Sequence, residues 1–222
     1  MNNKEQTRIQ RRDRAWHKEV VNKALEGILQ ELHQASVLDR FYLAGGTGLA
    51  LHLGHRRSHD LDFFNPEKFN EESLLQDLQQ LREFRLVAKA SGTLHAHMQG
   101  TKVSFFSYNY PVLYPLEAFL SVKVADPRDI AGMKISAIAS RGTKRVFVDL
   151  YAVSREYALD QLLEWFKEKF AQANYSTIHV LKSLSYFEEA EKDPMPDMLV
   201  PLAWEDVKQF FTRESLRLLE QV

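Results

Sequence analysis

Cysteine is absent from the 222 residues. That removes disulfides and every thiolate zinc site. No apolar run approaches the ~20 residues that span a bilayer, so no membrane partner is expected. Neither sign of charge is in excess: 29 Lys and Arg stand against 30 Asp and Glu, a formal net charge of −1. No global field marks the chain as a nucleic-acid binder, which leaves only local basic patches. Internal repeats and low-complexity stretches are also missing. The start, MNNKEQTRIQRRDRAWHK, is polar where a secretory signal would be apolar. A soluble cytoplasmic protein is the expectation. The length suits one domain or two small ones, and either can bury a core.

The chain does contain clear periodicity. Trp16, Val20, Val21, Ala24, Leu25, Ile28, Leu29 and Leu32 recur at helical spacing and predict one helix over 14–37. The Arg8, Arg11, Arg12 and Arg14 stretch before it reads as a solvated helix start or as a phosphate-contacting arm. Phe41 to Ala44 predicts a strand ended by Gly45-Gly46. Thr47 is expected to cap the next helix, with Gly54 as its stop. His59 to Phe64 alternates as a strand, and a helix is expected over 70–82. Phe84–Ala90, Thr93–Gln99 and Lys102–Tyr108 predict an antiparallel meander with short glycine turns. From Pro115 onward helices are expected at 115–120, 126–141, 145–157, 159–171, 175–189 and 203–221. The expected class is therefore α+β. Residues 1–110 would form an α/β core with an N-terminal helix, and 111–222 a helical C-terminal region.

The chemistry concentrates between Ala44 and Phe64, in AGGTGLALHLGHRRSHDLDFF. With a strand period of two, Asp60 and Asp62 share one face. Two unpaired carboxylates so close call for a cation, and hard oxygen donors suit Mg²⁺ or Mn²⁺ shared with substrate phosphates. Gly45 and Gly46 let backbone N–H groups approach a phosphate with no Cβ in the way. Thr47 adds a hydroxyl at a helix N-terminus. His55, Arg56 and Arg57 can neutralise further phosphate charge. Each piece alone has a bland reading as a turn or a solvent-facing acid. Their order, strand, GGT, helix, then Asp-x-Asp on the next strand, is far more specific and describes a site for a nucleoside triphosphate with a metal.

The string resembles the signature of the nucleotidyltransferase superfamily, the polymerase-β-like fold. More narrowly it resembles the AbiEii/AbiGii toxin branch, with a pattern near GGT-x-LAL…GHR-x-S-x-D-[IL]-D-[LF]-F. Every fixed position is filled, Arg56 and Ser58 included. A downstream motif, DPRDIAGMKISAIASRGTKRVFVDLYAV from Asp126 to Val153, resembles that branch at Lys134, Arg141 and Asp149. The resemblance implies a nucleotidyltransferase-like mixed sheet with flanking helices. It implies Asp60 and Asp62 as metal ligands and, with Lys134 and Asp149, as catalytic residues. Gly45, Gly46, Thr47, Arg56, Arg57, Ser58, Lys134 and Arg141 would contact nucleotide or phosphate. It further implies transfer of a nucleotide from an NTP to an RNA acceptor end, tRNA above all, with pyrophosphate released and a cognate antitoxin as a partner.

Several readings stay open on residues alone. Lys134 sits in an apolar helix middle, either as a phosphate contact or with its stem along apolar surface. Asp149 pairs with Lys134 or Arg141, or else faces the metal as a base or third acid. Many superfamily members carry a third carboxylate on a later strand, whereas TKVSFFSY offers Ser104 and Phe106 but no acid. A small-molecule, antibiotic-type acceptor and a weakly active nucleotide-binding protein are the alternatives. His95 and His97 share a strand face and are expected to meet solvent. The run FFSYNYPVLYP is expected to be core strand and loop before it is a base-stacking surface.

Overall fold

The computed structural model describes residues 15–221; the expected basic arm at Arg8–Arg14 lies outside them. The first helix is shorter than its apolar spacing predicts. Lys18–Val20 form a separate 3-10 turn, and α1 runs from Lys23 to Gln34. The break falls where Asn22 leaves helical backbone and its Oδ1 accepts the Leu25 N–H at 2.9 Å, an N-cap that restarts the helix. Leu25, Ile28, Leu29 and Leu32 are all buried. Trp16 packs instead on His52 and Phe119 and donates its indole N–H to the Ala118 carbonyl.

Seven strands make one mixed sheet: β1 (Tyr42–Leu43), β2 (Leu61–Asn65), β3 (Phe84–Ala90), β4 (Thr93–Met98), β5 (Thr101–Ser107), β6 (Glu117–Phe119) and β7 (Val122–Val124). They lie in the order β3-β4-β5-β2-β1-β7-β6. The expected meander is β3 to β5, antiparallel throughout. β5 then joins β2 in parallel, and β1 lies antiparallel to β2 and parallel to β7.

Residues 115–120 are not helical as expected. They contribute β6, so the sheet continues past residue 110. Leu120 and Ser121 both adopt positive φ, 47° and 67°, in the two-residue turn geometry that matches strand twist. Phe119, Val122 and Val124 are thereby buried against the sheet core. Burial there overrides local residues that suit a helix equally well.

The remaining helices are α2 (Gly45–Leu53), α3 (Glu71–Leu78), α4 (Pro127–Arg141), α5 (Lys144–Ser154), α6 (Leu159–Lys169), α7 (Thr177–Ser183), α8 (Glu188–Glu191) and α9 (Trp204–Leu219). The single helix expected at 175–189 is thus two. α4 is buried nearly all round, Ile130, Met133, Lys134, Ile135 and Ile138 included, which makes it the centre of the helical half. One sheet face, with Leu61, Phe63, Val103 and Phe105, packs on α1 and α3. The other face, with Asp62, Phe64, Ser104 and Phe106, turns away from that core, and Phe64 packs against the helical cluster. The observed class is α+β, as expected.

Candidate active site

β1 delivers the chain to Ala44, whose N–H donates to the Asp62 carbonyl at 3.1 Å. Gly45 follows at φ +64° and opens α2. A Cβ on Gly45 would stand 2.8 Å from Asp62 Oδ2, and one on Gly46 would run into Arg56 Nη2. The glycines therefore admit a carboxylate and a guanidinium against the backbone itself. Gly45→Ala is expected to cost about 1–2 kcal/mol for the left-handed conformation and to displace Asp62; thermal unfolding and transfer assays on the same preparation measure both effects.

Thr47 is not the cap that its position suggested. α2 begins at Gly45, so Thr47 sits in its first turn, buried. Its hydroxyl lies 2.7 Å from Ser58 Oγ and donates to the Asp60 carbonyl. This pins the approach to β2 against the helix start and sets the position of both acids. Gly54 ends α2 in the left-handed region, as expected.

Asp60 is one-third exposed and has only a long 3.4 Å contact to Arg145, itself exposed. Asp62 is partly buried on β2. Burial pushes the Asp62 carboxyl up, and the neighbouring Asp60 charge adds to this. Lys134, Lys102 and a hydrogen bond from Ser104 oppose the rise without reversing it. At Asp62 burial and the Asp60 charge outweigh these cations, and the donors of the pair are hard oxygens. Those two properties fit a divalent cation such as Mg²⁺ or Mn²⁺. Among the described residues no group of three His, Asp or Glu side chains is close enough to share an ion, so no third acid joins Asp60 and Asp62.

Asp149 on α5 is fully buried and is not a free base. Its Oδ1 accepts from His55 Nε2 at 2.9 Å and from Arg56 Nε at 2.7 Å. Its Oδ2 accepts from Arg56 Nη2 at 3.0 Å and Lys134 Nζ at 2.5 Å. Burial alone would raise its pKa, but Lys134 and Arg56 hold it well below the usual carboxylate range. Of the pairings left open in the sequence, Lys134 is realised and Arg141 is not; Arg141 is exposed at the end of α4. Arg56 is only 4% exposed, so it underlies the glycine turn instead of reaching outward. Arg57 is half-exposed and pairs with Asp197.

A late segment locks this loop from outside. Leu199 N–H donates to the His55 carbonyl at 3.0 Å and Arg57 N–H to the Asp197 carbonyl at 2.8 Å, and Arg56 and Met198 form an isolated antiparallel bridge. Nothing in the local pattern around Pro194 and Pro196 signals this strap.

Two side chains that the sequence left unassigned meet beside Asp62. Ser104 lies directly across from it on β5, and His95 lies across from Ser104 on β4. His95 Nδ1 is 3.0 Å from Ser104 Oγ. The expected solvent-facing histidine is thus half-buried and hydrogen-bonded toward the acids.

A mixed sheet with a glycine turn under paired acids and cations beside them defines a nucleotidyltransferase. Residues 27–111 and 101–218 match the family described as nucleotidyl transferase AbiEii toxin, type IV toxin–antitoxin system, and the chain belongs to that family. An uncharacterized protein of Aquifex aeolicus (strain VF5) is 38% identical over 198 residues, covering 86% of this chain and 94% of that one. MenT4, a nucleotidyltransferase toxin from Mycobacterium tuberculosis H37Rv, has a similar fold, with TM-score 0.54, 16% identity and coverage of 90% and 87%. So does ANT(2'')-Ia in complex with adenylyl-2''-tobramycin, with TM-score 0.53, 10% identity and coverage of 68% and 99%. Among the described residues no helix is long and apolar enough to cross a membrane.

Proposed function

We propose that this enzyme transfers a nucleotide from an NTP to an RNA acceptor end, tRNA foremost, and releases pyrophosphate. The observation that carries the reading is the Asp62 carboxylate resting on Gly45, its pKa pushed up by burial and by the neighbouring Asp60. Asp60 and Asp62 would hold a divalent ion, which when bound would neutralise charge on the reacting phosphates. The unpaired N–H groups opening α2 at Gly45, Gly46 and Thr47 receive phosphate oxygens. Lys134 gives one ammonium proton to Asp149, leaving others for the triphosphate. Ser58 steadies Thr47, and Arg56 supplies fixed positive charge from beneath. Arg57, which pairs with Asp197, and Arg141, both exposed, are assigned to outer phosphates. Asp149 acts by holding these cations in place, with no contact to the acceptor.

The acceptor side favours a polymer. On the sheet face that carries the acids, Lys102, His97 and Arg85 stand opposite one another on β5, β4 and β3. Lys102 and Arg85 are exposed, so a row of positive charge leads away from the paired acids. Phosphates of a strand entering the site would follow that row. Reversing both charges, Lys102→Glu with Arg85→Glu, is expected to raise the KM for RNA about tenfold or more and flatten its salt dependence, with the KM for NTP unchanged.

The test is incubation with Mg²⁺, each labelled triphosphate in turn and total tRNA, with Asp62→Ala in parallel. Label on RNA that disappears with the substitution supports the reading. Label on an aminoglycoside but not on RNA moves the acceptor to the small-molecule class, and transfer that survives the substitution removes the assigned metal role. The toxin family brings a cognate antitoxin as a further partner, and co-purification from the native host tests it.

A further inference from the structure

Asp60 touches two walls of the site at once. Its backbone carbonyl accepts from the Thr47 hydroxyl in the first turn of α2. Its carboxylate lies 3.4 Å from Arg145 Nη1, on α5. The glycine turn and the Arg145 guanidinium therefore meet across one residue. α2 and α5 also pack directly against each other. One turn further along α5, Asp149 binds His55, Arg56 and Lys134. Residues four apart share a helix face, so that buried network also fixes the point from which the Arg145 side chain starts.

The other basic groups near the turn are held in place. Lys134 and Arg56 are buried against Asp149, and Arg57 pairs with Asp197. Lys144 is tied to the Asp193 carbonyl and lies over the Trp204 ring. Arg145 differs. Its side chain is 60% exposed and its ion pair is long, so its five N–H donors are held by little. Its position is also one that a helix does not favour. α5 opens on Lys144 and Arg145 with no acid in its first turn, the reverse of what the helix dipole prefers. An anion seated between the two helices answers both imbalances.

We propose that Arg145 is a further catalytic residue, on the nucleotidyl-transfer reading given above: it contacts the two outer phosphates of the triphosphate and takes up the charge that gathers on them. The acceptor oxygen forms a bond to the α-phosphorus. The bond from that phosphorus to the bridging oxygen breaks, and pyrophosphate leaves with the electron pair. The acceptor proton goes to solvent. Arg145 gives up no proton, because a guanidinium stays charged throughout. It donates hydrogen bonds to the oxygens that gain charge, which its planar fork can meet two at a time. The glycine turn thus holds the phosphates from one wall and Arg145 from the other.

The test uses the full chain, with thermal melts showing that each variant is folded. Arg145→Ala is expected to lower kcat about 10²–10³-fold, the usual worth of one donor aimed at developing charge, and to raise the KM for the triphosphate less than tenfold. Arg145→Lys, a point charge without the fork, should recover part of kcat. Calorimetric titration with pyrophosphate in EDTA reads the contact without turnover. Its Kd should rise about fivefold in Arg145→Ala, the upper end of what an exposed ion pair contributes. With an active wild type, an unchanged kcat or an unchanged pyrophosphate affinity in Arg145→Ala removes the role of Arg145 alone. So does a rise confined to the KM for RNA, which would put the residue on the acceptor path. A wild type silent on every acceptor removes nucleotidyl transfer itself and this step with it.

Discussion

Asp62→Asn is expected to abolish transfer, by roughly 10³-fold or more given what a single group aimed at developing charge contributes, while leaving the protein at least as stable as the wild type. The two halves of this expectation share one cause. The folded-state pKa of Asp62 is raised, first by burial and then by Asp60. A carboxyl raised in this way loses stability once pH climbs past its unfolded value and it must ionise in the fold. Asparagine removes that penalty and keeps the acceptor for the Ser104 hydroxyl. A gain of about 0.5–2 kcal/mol is the usual scale for relieving a functional strain. Denaturant titration at neutral pH measures it beside the activity assay. A variant that is inactive because it is unfolded would contradict the account.

Asp149→Asn should have the opposite profile and the largest effect on stability. Its carboxylate is the common acceptor for Arg56, Lys134 and His55. Removing one partner of a buried ion pair leaves the others uncompensated and costs about 3–5 kcal/mol, or roughly 6–20 °C in Tm for a chain of this size. The pH dependence follows from the sign of the shift. Asp149 is held well below the ordinary range, so its contribution is complete above an unfolded pKa of about 3.9. It declines as pH falls further and is gone below the folded value. Acid unfolding of the wild type should carry that slope, and the asparagine variant should lack it. Thermal melts between neutral pH and the acid limb distinguish the two proteins.

The sequence displayed the parts of the site that depend on nearest neighbours. Gly45, Gly46, Asp60 and Asp62 were legible because a turn and a two-residue strand period fix them locally, and the structure places them together. The meander was legible from glycine turns. β6 and β7 were not, because Leu120 and Ser121 make a tight turn with no glycine or asparagine to announce it. The restart of α1 was available in Asn22, a good cap, but the continuous apolar spacing masked it. The roles of Arg56 and Asp149 could not be read, since about ninety residues separate two side chains that share one buried hydrogen-bond network. The Asp62–Ser104–His95 line was hidden for a similar reason. It is a lateral relation among three strands, and only the register of β2, β5 and β4 creates it.

The bridge between Arg56 and Met198, with the flanking bonds from Leu199 and to Asp197, bears on how the enzyme meets its substrate. Much of the conformational freedom of the His55–Ser58 loop is surrendered when the chain folds, so less is left to lose on binding. A loop tied down in this way offers a substrate a preset surface in place of one that must be ordered on arrival.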